Sequence, residues 1–241
     1  MRQGCRMLGW VLFLASLLSP GMGWAAITCT GQSFPFNAPT DPQAQDYTVP
    51  SVTNGITIVH AAVRNSLRTV NAITIGGNAM TQIGTRQAST DTASEVYYRL
   101  NVASGTQSIS VGWDATPLSY VLTAVTCGDV NQTTPIAVNN AATGTGGTTA
   151  TVTCTGTSSG QKVLDFVSLD APAGTLTPGA GQTNIDNDIA DNILVAGISE
   201  EAGGGDVVMS QTITSGDWTT ICAALSPAAT ARRRIAPLVS Q

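Results

Sequence analysis

From Ile27 onward, apolar residues recur in short alternating or continuous runs with turn signals between them. No window of helical length keeps apolar residues at i, i+3, i+4 and i+7 without Gly, Pro or β-branched interruption. The pattern predicts about eleven strands. In the first half these are Gly55–Val63, Val70–Ile75, Ala79–Ile83, Ser94–Leu100, Gln107–Trp113 and Leu118–Cys127. In the second half they are Thr148–Cys154, Lys162–Leu169, Asn192–Ser199, Asp206–Ile213 and Trp218–Leu225. Strands at this spacing predict an all-β, two-sheet antiparallel β-sandwich, jelly-roll or immunoglobulin-like.

Alternation also assigns faces. In SISVGW, Ile109, Val111 and Trp113 share one side and are expected in the core, with Ser108, Ser110 and Gly112 opposite. LTAVT and ILVAGI alternate less and are expected in strands covered on both faces. Gly76-Gly77-Asn78 suits a tight hairpin turn. Pro35–Pro50, with four prolines, reads as an irregular lead-in (35–50), and Ala142–Thr149 and Ala171–Thr183 read as loops.

The N-terminus places the chain outside the cytoplasm. Arg2 and Arg6 precede an apolar run from Met7 to Leu18, followed by SPGMGWA, which is the pattern of a secretory signal peptide over residues 1–25. That run is shorter than the roughly 20 residues a spanning helix needs, so no membrane span is expected after cleavage. The mature chain is then one β-sandwich domain over residues 26–228 with a flexible tail over 229–241, secreted to the cell surface, the medium or the periplasm. Loss of Arg2 and Arg6 leaves eight basic residues against fifteen acidic ones, a net charge near −7. Such a chain repels a phosphate backbone, which argues against a nucleic-acid partner.

Cys5 leaves with the leader, so Cys29, Cys127, Cys154 and Cys222 remain in an oxidising compartment, and two disulfides are expected. Four cysteines allow three connectivities. The preferred one joins Cys127 to Cys154 on successive strands and Cys29 to Cys222 on the terminal strands. Zinc would want closer Cys and His spacing than this chain offers.

The succession ITIGGNAMTQIGT (Ile73–Thr85), EVYYRLNVASGTQSISVGW (Glu95–Trp113), AVTCGDVNQTTPI (Ala124–Ile136), TLTPGAGQT (Thr175–Thr183) and GDWTTICAALSPA (Gly216–Ala228) resembles a family of bacterial extracellular β-sandwich domains. The resemblance implies an exported sandwich module and supplies no set of catalytic residues. The chain departs from the pattern at Cys127, where an aromatic is common, at Gly128-Asp129 in place of Ser-Gly, and near Ala103, where a proline is usual. Asn131, Gln132 and Thr133 before Pro135 read as a turn whose side chains bond their own backbone.

Few residues suggest chemistry. His60 is the only histidine, and no nucleophile motif accompanies it. Asp186, Asp188 and Asp191 in NIDNDIADN are the densest acidic group and a candidate Ca2+ loop, although Ala190 stands where an EF-hand would place an oxygen ligand. In Tyr97-Tyr98 alternation turns one ring outward, which makes that ring the candidate ligand contact. The leading expectation is a secreted, non-enzymatic module binding a glycan or other surface component without a required cofactor. Self-association as a structural subunit is the second, and a hydrolase using the Asp186 segment the third.

Overall fold

The computed structural model describes residues 25–37, 41–65 and 67–229, all of it strands, turns and connecting segments. Residues 1–24 of the expected leader and 230–241 of the expected tail lie outside the described residues. The first half comprises β1 (Thr28–Phe36), β2 (Gln43–Val49), β3 (Ile56–Arg64), β4 (Val70–Ile75), the two-residue β5 (Asn78–Ala79) and β6 (Thr81–Ala88). It ends with β7 (Thr92–Leu100), β8 (Gly105–Trp113) and β9 (Tyr120–Gly128). The second half comprises β10 (Ile136–Thr145), β11 (Thr149–Thr157), β12 (Lys162–Asp170), β13 (Leu176–Pro178) and β14 (Thr183–Ala190). It ends with β15 (Leu194–Ala202), β16 (Gly205–Ile213) and β17 (Asp217–Leu225).

These strands form four antiparallel sheets, in the orders β1-β9-β3-β7-β6, β2-β8-β4-β5, β10-β17-β12-β15-β14 and β11-β16-β13. Pairing is nested: β1 with β9, β2 with β8, β3 with β7, then β10 with β17, β11 with β16 and β12 with β15. Nested antiparallel pairs are what a long folded-over ribbon makes when it rolls into a sandwich, the jelly-roll arrangement. The chain rolls twice. Matching β1 to β10 and continuing along the chain, with β5 left over, turns the two sheet orders of the first half into those of the second.

The sheets stack in four layers. An outer core of Tyr47, Val59, Ile73, Ile109, Val111, Trp113 and their neighbours fills the first sandwich. Val152, Met209, Val167, Leu169 and Ile213 help fill the second. Between them the two five-stranded sheets meet face to face through Ile56, Ile58, Val96, Val125, Leu164, Phe166 and Ile221. This explains the patterning. Strands β3, β9, β12 and β17 are buried along nearly their whole length because both faces of their sheets are covered, whereas β8 and β16 alternate because their outer faces meet water.

The halves are related by an approximate two-fold axis running between β3 and β12. Contacts come in exchanged pairs: β7 with β12 and β3 with β15, β7 with β17 and β9 with β15, β6 with β10 and β1 with β14. On the axis, equivalent residues meet each other. His60 packs edge-on against its counterpart Phe166 at 5.8 Å between ring centroids, and the Arg64 Nε lies 3.5 Å from Oδ2 of its counterpart Asp170.

Several sequence expectations are corrected. Among the described residues the strands number seventeen rather than about eleven. Pro35–Pro50 is not an irregular lead-in, since β1 and β2 occupy most of it; Pro35 is tolerated because β1 is an edge strand of its sheet. The first half of Ala142–Thr149 continues β10, leaving only residues 146–148 as a turn before β11, and Ala171–Thr183 contains β13. The disulfides join Cys29 to Cys127 and Cys154 to Cys222, not Cys127 to Cys154 and Cys29 to Cys222. Terminal strands do neighbour each other, but within each half, β1 with β9 and β10 with β17, and each disulfide likewise lies within one half. Cys29 and Cys127 face each other across β1 and β9, and Cys154 on β11 reaches between sheets to Cys222 on β17. The two disulfides place the folded chain in an oxidising, non-cytoplasmic environment. Among the described residues no helix is long and apolar enough to cross a membrane.

Candidate functional site

A cavity of about 230 Å3 opens at one end of the first sandwich, between the segment that joins β2 to β3 and the one that joins β7 to β8. Its floor is Thr57 of β3 and Thr126 of β9, both almost wholly buried. Ser51, Asn101 and Ser104 stand exposed at its rim, and Val52 and Val102 supply apolar wall. No lining residue is ionisable. The rim is fastened to the sheets: the Asn101 N–H donates to the Gly55 carbonyl (2.9 Å), Asp129 N–H to Thr53 (2.7 Å) and Val130 N–H to Asn54 (3.0 Å). Asn54 and Asn101 adopt φ of 48° and 52°, the left-handed conformation that asparagine tolerates in turns.

Beneath the floor the hydroxyls continue into the sandwich. Thr57 Oγ1 lies 2.9 Å from Thr126 Oγ1, which lies 3.0 Å from the Tyr47 hydroxyl, itself 3.3 Å from the Thr30 carbonyl. Burial pushes the Tyr47 phenol above its ordinary value, so it keeps its proton at neutral pH.

His60 sits in a separate polar cluster, sealed between the two five-stranded sheets. Its Nδ1 is 3.2 Å from Thr123 Oγ1, and its Nε2 is 3.0 Å from Ser94 Oγ and 3.2 Å from Ser168 Oγ. Ser94 Oγ also meets Ser168 Oγ and lies 2.7 Å from Thr219 Oγ1. A histidine beside a serine resembles a base with its nucleophile, but a hydroxyl stands where the triad places its carboxylate, and His60, Ser94, Ser168 and Thr219 are all fully buried. Burial lowers the imidazole to about 3, so it is a neutral hydrogen-bonding hub.

Asp165 on β12 is also almost wholly buried. Its Oδ1 accepts from the Ser199 N–H (3.0 Å) and hydroxyl, and its Oδ2 accepts from Gln211 Nε2 (3.3 Å). Burial outweighs these bonds and raises its pKa to about 6. Its signal in the sequence is one charge inside the apolar run VLDFVSL, but its partners lie 34 and 46 residues away.

The segment of the candidate Ca2+ loop is corrected to a strand. Asp186 and Asp188 belong to edge strand β14, not to a loop, and each accepts the amide of the next residue, Asn187 at 2.9 Å and Ile189 at 2.8 Å. Asp191 stands in the turn after the strand, where its N–H donates to Asn37 Oδ1 (2.7 Å). Among the described residues no three His, Cys, Asp or Glu converge on a point that could hold a metal ion. Glu200 is engaged by Lys162 at 2.8 Å.

Neither Tyr97 nor Tyr98 stands free in solvent, because β7 lies in an inner sheet with both faces covered. Tyr97 packs on the first sandwich's core and donates to Glu95 Oε2 (2.7 Å), and Tyr98 packs on the core between the halves. Both are half-buried. The corner after Gly128 is a turn as expected: Asn131 Oδ1 accepts the N–H groups of Thr133 (2.8 Å) and Thr134 (3.1 Å). The residues lining the cavity were missed. Their one signal is Thr57 and Thr126 at interior positions of mostly apolar strands.

The chain matches no protein-family model, no curated protein and no solved structure.

Proposed function

We propose that the protein is an exported, non-enzymatic β-sandwich module that acts at or outside the cell surface by binding a glycan or another surface component. The observation that carries this reading is a contrast in access. The groups best suited to acid–base chemistry, His60 with Ser94 and the carboxyl of Asp165, are closed inside the stack and committed to internal hydrogen bonds. The uncharged hydroxyl and amide groups of the cavity face outward from a fastened rim. Self-association through an edge strand finds less support at β2, where the Gln43 and Gln45 side-chain amides bond the carbonyls of Ala44 and Asp46, each at 3.4 Å.

The test is binding of residues 26–241 to a broad glycan array, first with calcium and then with chelator. Binding that survives chelation is expected. A silent array together with concentration-dependent sedimentation would replace this reading with the self-assembling subunit.

A further inference from the structure

We propose that the cavity over Thr57 and Thr126 is a subsite for one neutral sugar residue, an inference that rests on the recognition reading above and names its ligand class and position. The first argument is charge. A buried ammonium, carboxylate or phosphate needs a partner of opposite sign, and the lining offers none, so a charged ligand would lose its hydration without compensation.

The second argument is the hydroxyl row. Tyr47 donates to Thr126 or to the Thr30 carbonyl, and the bond between Thr126 and Thr57 can run in either sense. If Thr126 donates to Thr57, the Thr57 hydrogen is left for the cavity; if Thr57 donates to Thr126, the Thr126 hydrogen is left and Thr57 offers lone pairs. The floor therefore presents one hydrogen together with free lone pairs in both senses. A ligand hydroxyl, donor and acceptor at once, answers both, whereas a group that only donates or only accepts leaves one of them unmet.

The third argument is size and texture. The volume of about 230 Å3 holds roughly seven or eight waters at about 30 Å3 each, the space of one monosaccharide rather than of an extended chain. Val52 and Val102 face the C–H surfaces of such a ring, while Ser51, Asn101 and Ser104 meet its remaining hydroxyls. Thr57 is therefore the anchoring contact and Ser104 a rim contact.

The experiment is protein-observed NMR on the oxidised mature chain, titrated with neutral methyl glycosides of glucose, galactose, mannose and N-acetylglucosamine, and in parallel with glucuronic acid and glucosamine. At least one neutral glycoside is expected to shift Thr57, Thr126, Asn101 and Ser104 together, while the charged sugars leave them in place. Thr57→Val keeps the side-chain shape and deletes the anchoring hydroxyl, and is expected to weaken that binding about tenfold, the equivalent of one hydrogen bond. Ser104→Ala, on the exposed rim, leaves folding unchanged and lowers affinity by a smaller factor, so the inference is tested even if Thr57→Val unfolds. Glycans captured on the array while these residues stay unshifted, or while both variants bind like the parent, would overturn the subsite and keep the broader function. Silence of the array and of all the neutral glycosides would overturn the subsite, and concentration-dependent sedimentation beside that silence would overturn the recognition reading as well.

Discussion

Replacing Asp165 by asparagine should stabilise the protein at neutral pH, and the gain should vanish in acid. Asp165 is fully buried, and burial raises its pKa from 3.8 to about 6 despite the bonds from Ser199 and Gln211. A carboxyl raised in the folded state favours folding fully below its unfolded value of 3.8, and that contribution is lost as pH rises through about 6. At about 1.4 kcal/mol per pH unit of displacement, holding the ionised group costs roughly 3 kcal/mol above pH 6. Asp165→Asn removes the charge and keeps an oxygen for the Ser199 N–H and hydroxyl. The new NH2 faces Gln211, whose Oε1 is buried without a hydrogen-bond partner and can be turned toward it by an amide flip. That flip sacrifices the 3.1 Å bond from Gln211 Nε2 to Ser199 Oγ, worth about 1 kcal/mol. The net expectation is a gain of about 2 kcal/mol at pH 7.5, falling to zero or slightly below at pH 4. Urea unfolding of parent and variant between pH 4 and 8, disulfides intact, measures the difference free of every titration the two share. A difference that stays flat, or that grows toward acid, would refute the reasoning.

Other outcomes follow from the same geometry. The His60 ring, neutral and lowered to about 3, should show no NMR titration between pH 8 and 4; a midpoint near 6.5 would show that it reaches water. Because this pKa is depressed, stability held above pH 6.5 is lost as pH falls toward 3, roughly 5 kcal/mol in all, so His60 drives acid unfolding while Asp165 opposes it. At Gly31 an added Cβ would lie 2.6 Å from Ile185 Cγ2 of the other half, so Gly31→Val should cost about 1–3 kcal/mol and lower Tm by several degrees; an unchanged Tm would mean that β1 and β14 do not meet. Calcium and chelator should leave Tm in place, because Asp186, Asp188 and Asp191 do not converge; a calcium-dependent rise of several degrees would contradict this.

What was legible in the sequence depended on where each strand sits in the stack. SISVGW could be read because β8 lies in an outer sheet, wet on one side, and Ile109, Val111 and Trp113 are buried as their alternation requires. LTAVT could be read as doubly covered because threonines and alanines pack there without a wet face. Edge strands were harder. In β10 half-buried and exposed residues alternate, but its side chains are small, and Gly144 is needed because any Cβ there would enter the Trp218 indole, so the segment looked like a loop. β14 looked like a metal loop because an edge strand can carry Asp and Asn outward. The duplication was not legible, since counterparts such as His60 and Phe166, or Arg64 and Asp170, share position and nothing of chemistry. Neither was the cavity, whose floor and rim come from segments that only the nested pairing brings to one end of the first sandwich.

The central claim is that the chain closes twice, each half rolling up on its own strands. Mass-spectrometric mapping of the oxidised mature protein, digested without reduction and at acidic pH to prevent exchange, tests it most directly. The account predicts linked peptides containing Cys29 with Cys127 and Cys154 with Cys222, one bond within each half. A stoichiometric bond between halves, such as Cys127 to Cys154 or Cys29 to Cys222, would contradict it.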